Sequence, residues 1–126
     1  MRYLDVEDLV HLADLAVGGQ ALVRDLGLLS AAAARPSSGL GDFEAYPSVS
    51  SKAAALLHSL VRNHALVDGN KRLGWTALVV FCDLNGLQVD AQDDEAYDVV
   101  IAVAEGRLDV PELTELVAAW TGAEPQ

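Results

Sequence analysis

The sequence predicts an all-α fold, a single compact domain of about six helices around a buried central one. Three observations carry this. Apolar residues recur at three- and four-residue spacing in six successive segments. Short stretches rich in Gly, Pro, Ser or Asp separate those segments. No segment of useful length shows the apolar–polar alternation of a half-buried strand. A length of 126 residues suits one domain, residues 1–126. With 52% hydrophobic residues the chain can supply a core, so disorder over its whole length is excluded.

Asp5 is placed to cap a first helix carrying Leu9, Leu12, Ala13 and Ala16, and Gly18-Gly19 stops it. Asp25 caps a second, through Leu26, Leu28, Leu29 and the alanines 31–34. Arg35-Pro36-Ser37-Ser38-Gly39-Leu40-Gly41 then opens the one long irregular loop, which extends to about Pro47. Loops of that length in a small domain are often functional. A third helix starts near Ser48–Ser51 with the stripe Ala53, Leu56, Leu57, Leu60 and Val61, and the same spacing continues to His64. The fourth starts at about Asn70 and is apolar on every side, from Leu73 and Trp75 to Cys82 and Leu84, which predicts it as the hub. Asn85-Gly86 ends it. Asp93-Asp94-Glu95 begins the fifth, whose charges suit a helix N-terminus. The sixth carries a capping box, Asp109 with Glu112, and a proline in its first turn. Leu87–Asp90 is the one candidate for a short extended piece.

Eight basic residues against nineteen acidic give a formal charge of −11. That balance repels nucleic-acid backbones and anionic lipid, so direct DNA binding and a membrane role are not expected. No stretch reaches the roughly 20 apolar residues of a membrane span, and the acidic N-terminus is unlike a signal peptide. The lone Cys82 excludes an internal disulfide and fits a reducing cytosol, so a cytoplasmic location is expected.

The chemistry concentrates in Asn63-His64-Ala65-Leu66-Val67-Asp68-Gly69-Asn70-Lys71-Arg72. His64, on the apolar stripe, is expected to face the interior or a cleft in it. Gly69 turns the chain into the fourth helix, whose N-terminus presents unpaired N–H groups and a partial positive charge. Gly69 also allows close backbone approach. Lys71 and Arg72 then break a local rule, because acidic residues are the more stable ones in a first turn, by about 0.3–1 kcal/mol each. Such violations usually serve function. Two cations and a bare helix N-terminus make a polyphosphate cradle. Asp68 could hold Mg²⁺ beside it, and His64 could take a proton from an attacking hydroxyl. Each residue alone has a plainer reading: a hydrogen-bonded core histidine, a turn and cap at Asp68–Asn70, surface ion pairs for Lys71 and Arg72. Their occurrence together within nine residues favours phosphoryl or nucleotidyl transfer from a nucleotide.

The run His64–Arg72 resembles the signature of the Fic/Doc superfamily, His-x-Phe-x-(Asp/Glu)-(Gly/Ala)-Asn-(Gly/Lys)-Arg, in the version with Lys that looks like its death-on-curing (Doc) branch. Arg24-Asp25-Leu26-Gly27-Leu28-Leu29, Arg35-Pro36, Tyr46-Pro47 and Lys52–Leu57 extend the resemblance over nearly the whole chain. The resemblance implies a toxin of a toxin–antitoxin pair using ATP and Mg²⁺. His64 would be the general base and Asp68 the metal ligand. Gly69, Asn70 and the helix N-terminus would hold phosphates, with Arg72 contacting them. Lys71 stands where adenylylating relatives have Gly, which implies an inverted nucleotide and a protein Ser/Thr kinase. The family target is elongation factor Tu, and residues 35–47 would be the flap that docks it. A protein adenylyltransferase and an inert binding module are the alternatives. Leu66 replaces the motif's Phe and would pack the loop with less area. Glu105-Gly106 resembles the tail of the internal inhibitory segment (Ser/Thr)-x-x-x-Glu-(Gly/Asn), but Ile101 stands in the hydroxyl position. A separate, Phd-like antitoxin that folds on binding is therefore expected.

Among the other candidates, His58 and His64 are six apart, about 240° round a helix, and cannot share a metal. His11 is expected in solvent beside Asp8 and Asp14, Cys82 as an inert core thiol, and Trp75 and Trp120 in the core. Arg62 is open between holding phosphate and capping a helix.

Overall fold

Local cap chemistry sets most helix starts in a computed structural model that describes residues 1–123. The helices are α1 (Val6–Val17), α2 (Leu26–Ala34), α3 (Val49–Asn63), α4 (Asn70–Leu84), α5 (Asp93–Ala104) and α6 (Val110–Thr121). Asp5, Ser48 and Asp109 each form a reciprocal capping box, and the Asp25 carboxylate accepts from the Leu28 N–H at 3.1 Å. Gly18 and Gly122 end α1 and α6 in the left-handed conformation. The expected domain runs to residue 126, and its last three positions lie outside the described residues.

Which helix is central differs from the sequence expectation. Eleven of the fifteen residues of α3 are buried, against six of fifteen in α4. Helix α3 packs on α4, α6, α2 and α5, while α4 presents Trp75, Thr76, Val79 and Val80 half-buried. The sequence misleads here because α3 contains Ser50, Ser51, Lys52, His58 and Ser59, which read as a solvent face. Nearly all of that polarity is satisfied inside. Ser51 closes the cap with Ser48, and Ser59 accepts from Arg35 at 3.0 Å. Lys52, 1% exposed, donates to the carbonyls of Pro36 and Tyr46 and to the Glu44 carboxylate. Only Ser50 Oγ, among the described residues, is buried without a partner. Helices α3 and α4 also approach closely at a glycine. At Gly74 of α4 a Cβ would stand 2.6 Å from Val61 Cγ2.

The 35–47 loop is more ordered than expected. A 3-10 turn at Arg35–Ser37 leads into a hairpin of β1 (Gly39–Leu40) and β2 (Phe43–Glu44), antiparallel with Leu40 opposite Phe43. The strands therefore lie here and not at Leu87–Asp90, which is irregular. The hairpin base is held by Lys52 and by Arg35, which donates to the Tyr46 hydroxyl at 2.9 Å and contacts His58 Nδ1 at 2.9 Å. The tip projects, with Leu40 85% and Phe43 69% exposed.

Trp120 is buried, meets Trp75 edge-on at 5.4 Å and donates its indole N–H to Glu95. Burial pushes the Cys82 thiol up to about 12, which makes it the inert core group expected. His11 is exposed.

Two outcomes follow. Lys52→Met removes a donor to the buried Pro36 carbonyl and the half-buried Tyr46 carbonyl and should cost about 1–3 kcal/mol. Urea unfolding checks the cost, and hydrogen exchange at the Ala45 N–H, bonded to Ser38 across the hairpin, should accelerate. His58 is held below its usual value of 6.5 by burial first and by Arg35 and Arg62, with Asp109 opposing. The unfolded chain then binds the extra proton as pH falls below about 6.5, so the stability this neutral histidine contributes is present above that value and lost below it. Melting temperature should drop more steeply between pH 7 and 5 in the native protein than in His58→Gln.

Candidate functional site

Six residues separate the end of α3 from the start of α4, and their geometry builds a cleft. The helix stops at Asn63, so His64 does not continue the apolar stripe. It is the C-cap of α3, in the left-handed region at φ 54°, and is exposed. Part of the cause is downstream: the chain must reverse so that Ala65 and Leu66, each 1% exposed, can enter the core. Leu66 thus anchors the loop where the motif has Phe.

The reversal is clamped from two sides. The Asn70 side chain accepts from the Leu66 N–H at 2.9 Å and donates to the Leu66 carbonyl at 3.0 Å. On the other side, Val67 N–H donates to Leu22, and the N–H groups of Arg24 and Asp25 both donate to the Ala65 carbonyl. Gly69 then starts α4 at φ 92°. A Cβ on Gly69 would lie 2.5 Å from Val17 Cγ1 of α1, so glycine is demanded by packing inside the fold as well as by the backbone angle.

The resulting cleft, about 390 Å³, is bordered by His64, Asp68, Gly69, Asn70, Lys71 and Arg72, with Val61, Val67 and Ala104. Every site residue expected from the sequence therefore borders one cavity. Their states differ. His64, Asp68, Lys71 and Arg72 are exposed, whereas Asn70 commits its amide to the loop and leaves its backbone to the helix N-terminus. No side chain caps α4, so its first N–H groups are free to meet an anion. Among the described residues neither Lys71 nor Arg72 forms an ion pair, in a chain of net charge −11. The two cations also line an apolar groove of about 430 Å³ with Trp75, Tyr97, Val100 and Ile101. The Asp68 carboxylate accepts from the Gly69 N–H through Oδ1, and Oδ2 has no hydrogen-bond partner among the described residues. No cluster of three or more metal-ligating side chains exists among the described residues. A carboxylate oxygen beside an uncapped helix N-terminus and two cations fits Mg²⁺, which takes few protein ligands and completes its shell with phosphate and water.

Two arginines have roles that spacing did not reveal. Arg62 Nη1 donates to the Ala104 carbonyl at 2.7 Å, so it caps the C-terminus of α5 across the cleft. Arg24 donates from Nε, at 3.0 Å, and from Nη2 to the carbonyl of His64. In the sequence Arg24 stood out only as part of the Arg24–Leu29 resemblance. Glu105 pairs with Arg107 at 2.8 Å and makes no ion pair with the cleft cations.

The Gly69–Val17 contact gives a measurable consequence. Gly69→Ala should destabilise by about 2–4 kcal/mol, part steric and part from the left-handed backbone. Adding Val17→Ala should recover about 1–2 kcal/mol as coupling in a double-mutant cycle by urea unfolding. Additive effects would show that the clash is not the cause.

Comparison with known proteins agrees with this architecture. The profile of the Fic/DOC family matches residues 3–82, from before α1 to the last turn of α4, and so contains the whole clamped loop. Toxin Doc of Mycolicibacterium smegmatis is 46% identical over 124 residues, which cover 97% of this chain and 95% of that protein. With the six-helix fold and the His64–Arg72 turn inside so long an alignment, the chain belongs to the Fic/Doc family.

Proposed function

We propose that this family member is the toxin of a toxin–antitoxin pair and that it transfers the γ-phosphoryl group of ATP to a Ser/Thr hydroxyl of a translation factor, elongation factor Tu being the family's target. The observation that carries this reading is Lys71. It is exposed at the cleft, free of ion pairs among the described residues, and adjacent to an uncapped helix N-terminus. A long cation there fills the space a glycine would leave open and favours the nucleotide with its terminal phosphate towards His64.

In this reading the α4 N–H groups, Lys71 and Arg72 hold the phosphates and offset charge that builds on the transferring group. His64, fixed at the rim, accepts the proton of the target hydroxyl as its oxygen forms the bond to phosphorus. The bond to the ADP oxygen breaks, and ADP departs with that electron pair. Asp68 would hold Mg²⁺, which supplies neutralisation of phosphate charge when bound. The projecting β1–β2 hairpin, with Leu40 and Phe43 at its tip, is the surface for the protein substrate. No helix of the described residues is long and apolar enough to cross a membrane. The toxin would act in the bacterial cytoplasm, where ATP and the target are found. The relative's name, Toxin Doc, supports a cognate antitoxin as the second partner.

The test uses purified protein, Mg²⁺, elongation factor Tu and ATP labelled at the γ- or the α-phosphate. Transfer of γ-label alone is expected, and His64→Ala should slow it by about 10²–10⁴-fold. Transfer of α-label would make the protein an adenylyltransferase and overturn the role given to Lys71. No transfer, with nucleotide still bound, would leave a binding module.

A further inference from the structure

We propose that Arg24 is a positioning residue for the reaction: its guanidinium holds the His64 carbonyl and thereby keeps His64 in the left-handed conformation that aims the imidazole into the cleft. The proposal rests on the reading of His64 as general base. Among the described residues His64 is the sole non-glycine with positive φ. That region is uncommon for non-glycine residues, though less so for histidine, and persists where the surroundings hold it. The imposing groups come from one short segment. Arg24 gives two side-chain N–H groups to the His64 carbonyl, and its backbone N–H donates to the next carbonyl, Ala65, at 2.8 Å. Two residues earlier the Leu22 carbonyl accepts from Val67 at 2.9 Å, and Val23 bridges Leu66. The His64 carbonyl and the backbone of the three residues after it are thus held by residues 22–25.

The grip is also chemically apt. The last carbonyls of α3 lack partners within the helix, and a cation there meets the negative end of the helix dipole. A cap alone, however, would matter to stability only. The distinguishing feature is that the carbonyl held is that of the residue whose ring reaches the substrate. Release of that carbonyl would allow φ of His64 to relax toward the helical region, swinging the Cα–Cβ bond and moving the ring. A misplacement of about 1 Å in such a group costs about a hundredfold in rate.

Three variants separate positioning from capping. Arg24→Ala removes the grip. Arg24→Lys keeps the charge but cannot present two N–H groups in a planar fork. Asp25→Ala disturbs the neighbouring α2 cap without touching His64. At saturating elongation factor Tu and ATP, Arg24→Ala should transfer γ-label about 10–100-fold more slowly, with KM for ATP unchanged. Arg24→Lys should fall between it and the native rate while melting like the native protein. Asp25→Ala should melt lower at an unchanged rate. By NMR, the His64 backbone and ring resonances, assigned by their loss in His64→Ala, should shift or broaden in both Arg24 variants and stay fixed in Asp25→Ala. An unchanged saturating rate, or a loss that only tracks the folded fraction, would overturn the proposal, as would unmoved His64 resonances. Absence of label transfer by the native protein would overturn the reaction instead, and the His64 resonances would then decide Arg24's hold by themselves. If Arg24→Ala does not fold, the Lys variant carries both measurements.

Discussion

The paired hydrogen bonds between the Asn70 side chain and the Leu66 main chain fix the turn on which the cleft is built. One amide spans four residues, satisfying an N–H and a C=O that would otherwise face the core without partners. With that closure in place, Leu66 points inward and Asp68 stays on the rim. The first N–H groups of α4 open to the cleft. The amide does its work by geometry and leaves charge to its neighbours, Lys71 and Arg72. The Asn70 amide, expected from the sequence to face a ligand, is thus committed to the loop, and its backbone remains at the helix N-terminus.

A second arrangement, at the opposite end of α3, holds the hairpin. Burying a lysine is costly unless its charge and donors are met, and Lys52 meets two carbonyls and a carboxylate at once. Arg35 adds contacts to Tyr46, His58 and Ser59. Both cations bind the hairpin at its base and leave Leu40 and Phe43 projecting. The central helix therefore carries the cleft at one end and the hairpin's anchor toward the other, and packs against four other helices between them. This shared support explains why polar residues occur on the most buried helix of the protein.

Charge is distributed with the same economy. The chain is strongly acidic, yet three helix ends converge on the cleft with cations beside them: Arg24 at α3, Lys71 and Arg72 at α4, Arg62 at α5. Two of these arginines occupy C-termini, where positive charge is stabilising, and the α4 pair occupies an N-terminus, where it is not. The unfavourable pair is the one left exposed and free of ion pairs among the described residues. An anion in the cleft would supply the counter-charge that no described side chain provides.

The division between sequence and tertiary structure follows contact range. Helix starts at Asp5, Asp25, Ser48 and Asp109 were legible because a cap and its partner lie within about three residues. The cleft was legible because His64, Asp68, Gly69, Lys71 and Arg72 sit on one continuous turn, so their proximity is guaranteed by the backbone. Central burial of α3, the left-handed state of His64, the hold of Arg24 on it and the demand of Val17 on Gly69 were not. Each depends on groups roughly 40 or more residues apart that meet only after the helices pack. The sequence by itself determined which candidate residues share one turn at the start of α4. Only the tertiary structure decided how they are held, because a hydrogen-bond partner or a steric limit supplied from another helix leaves no trace in local spacing.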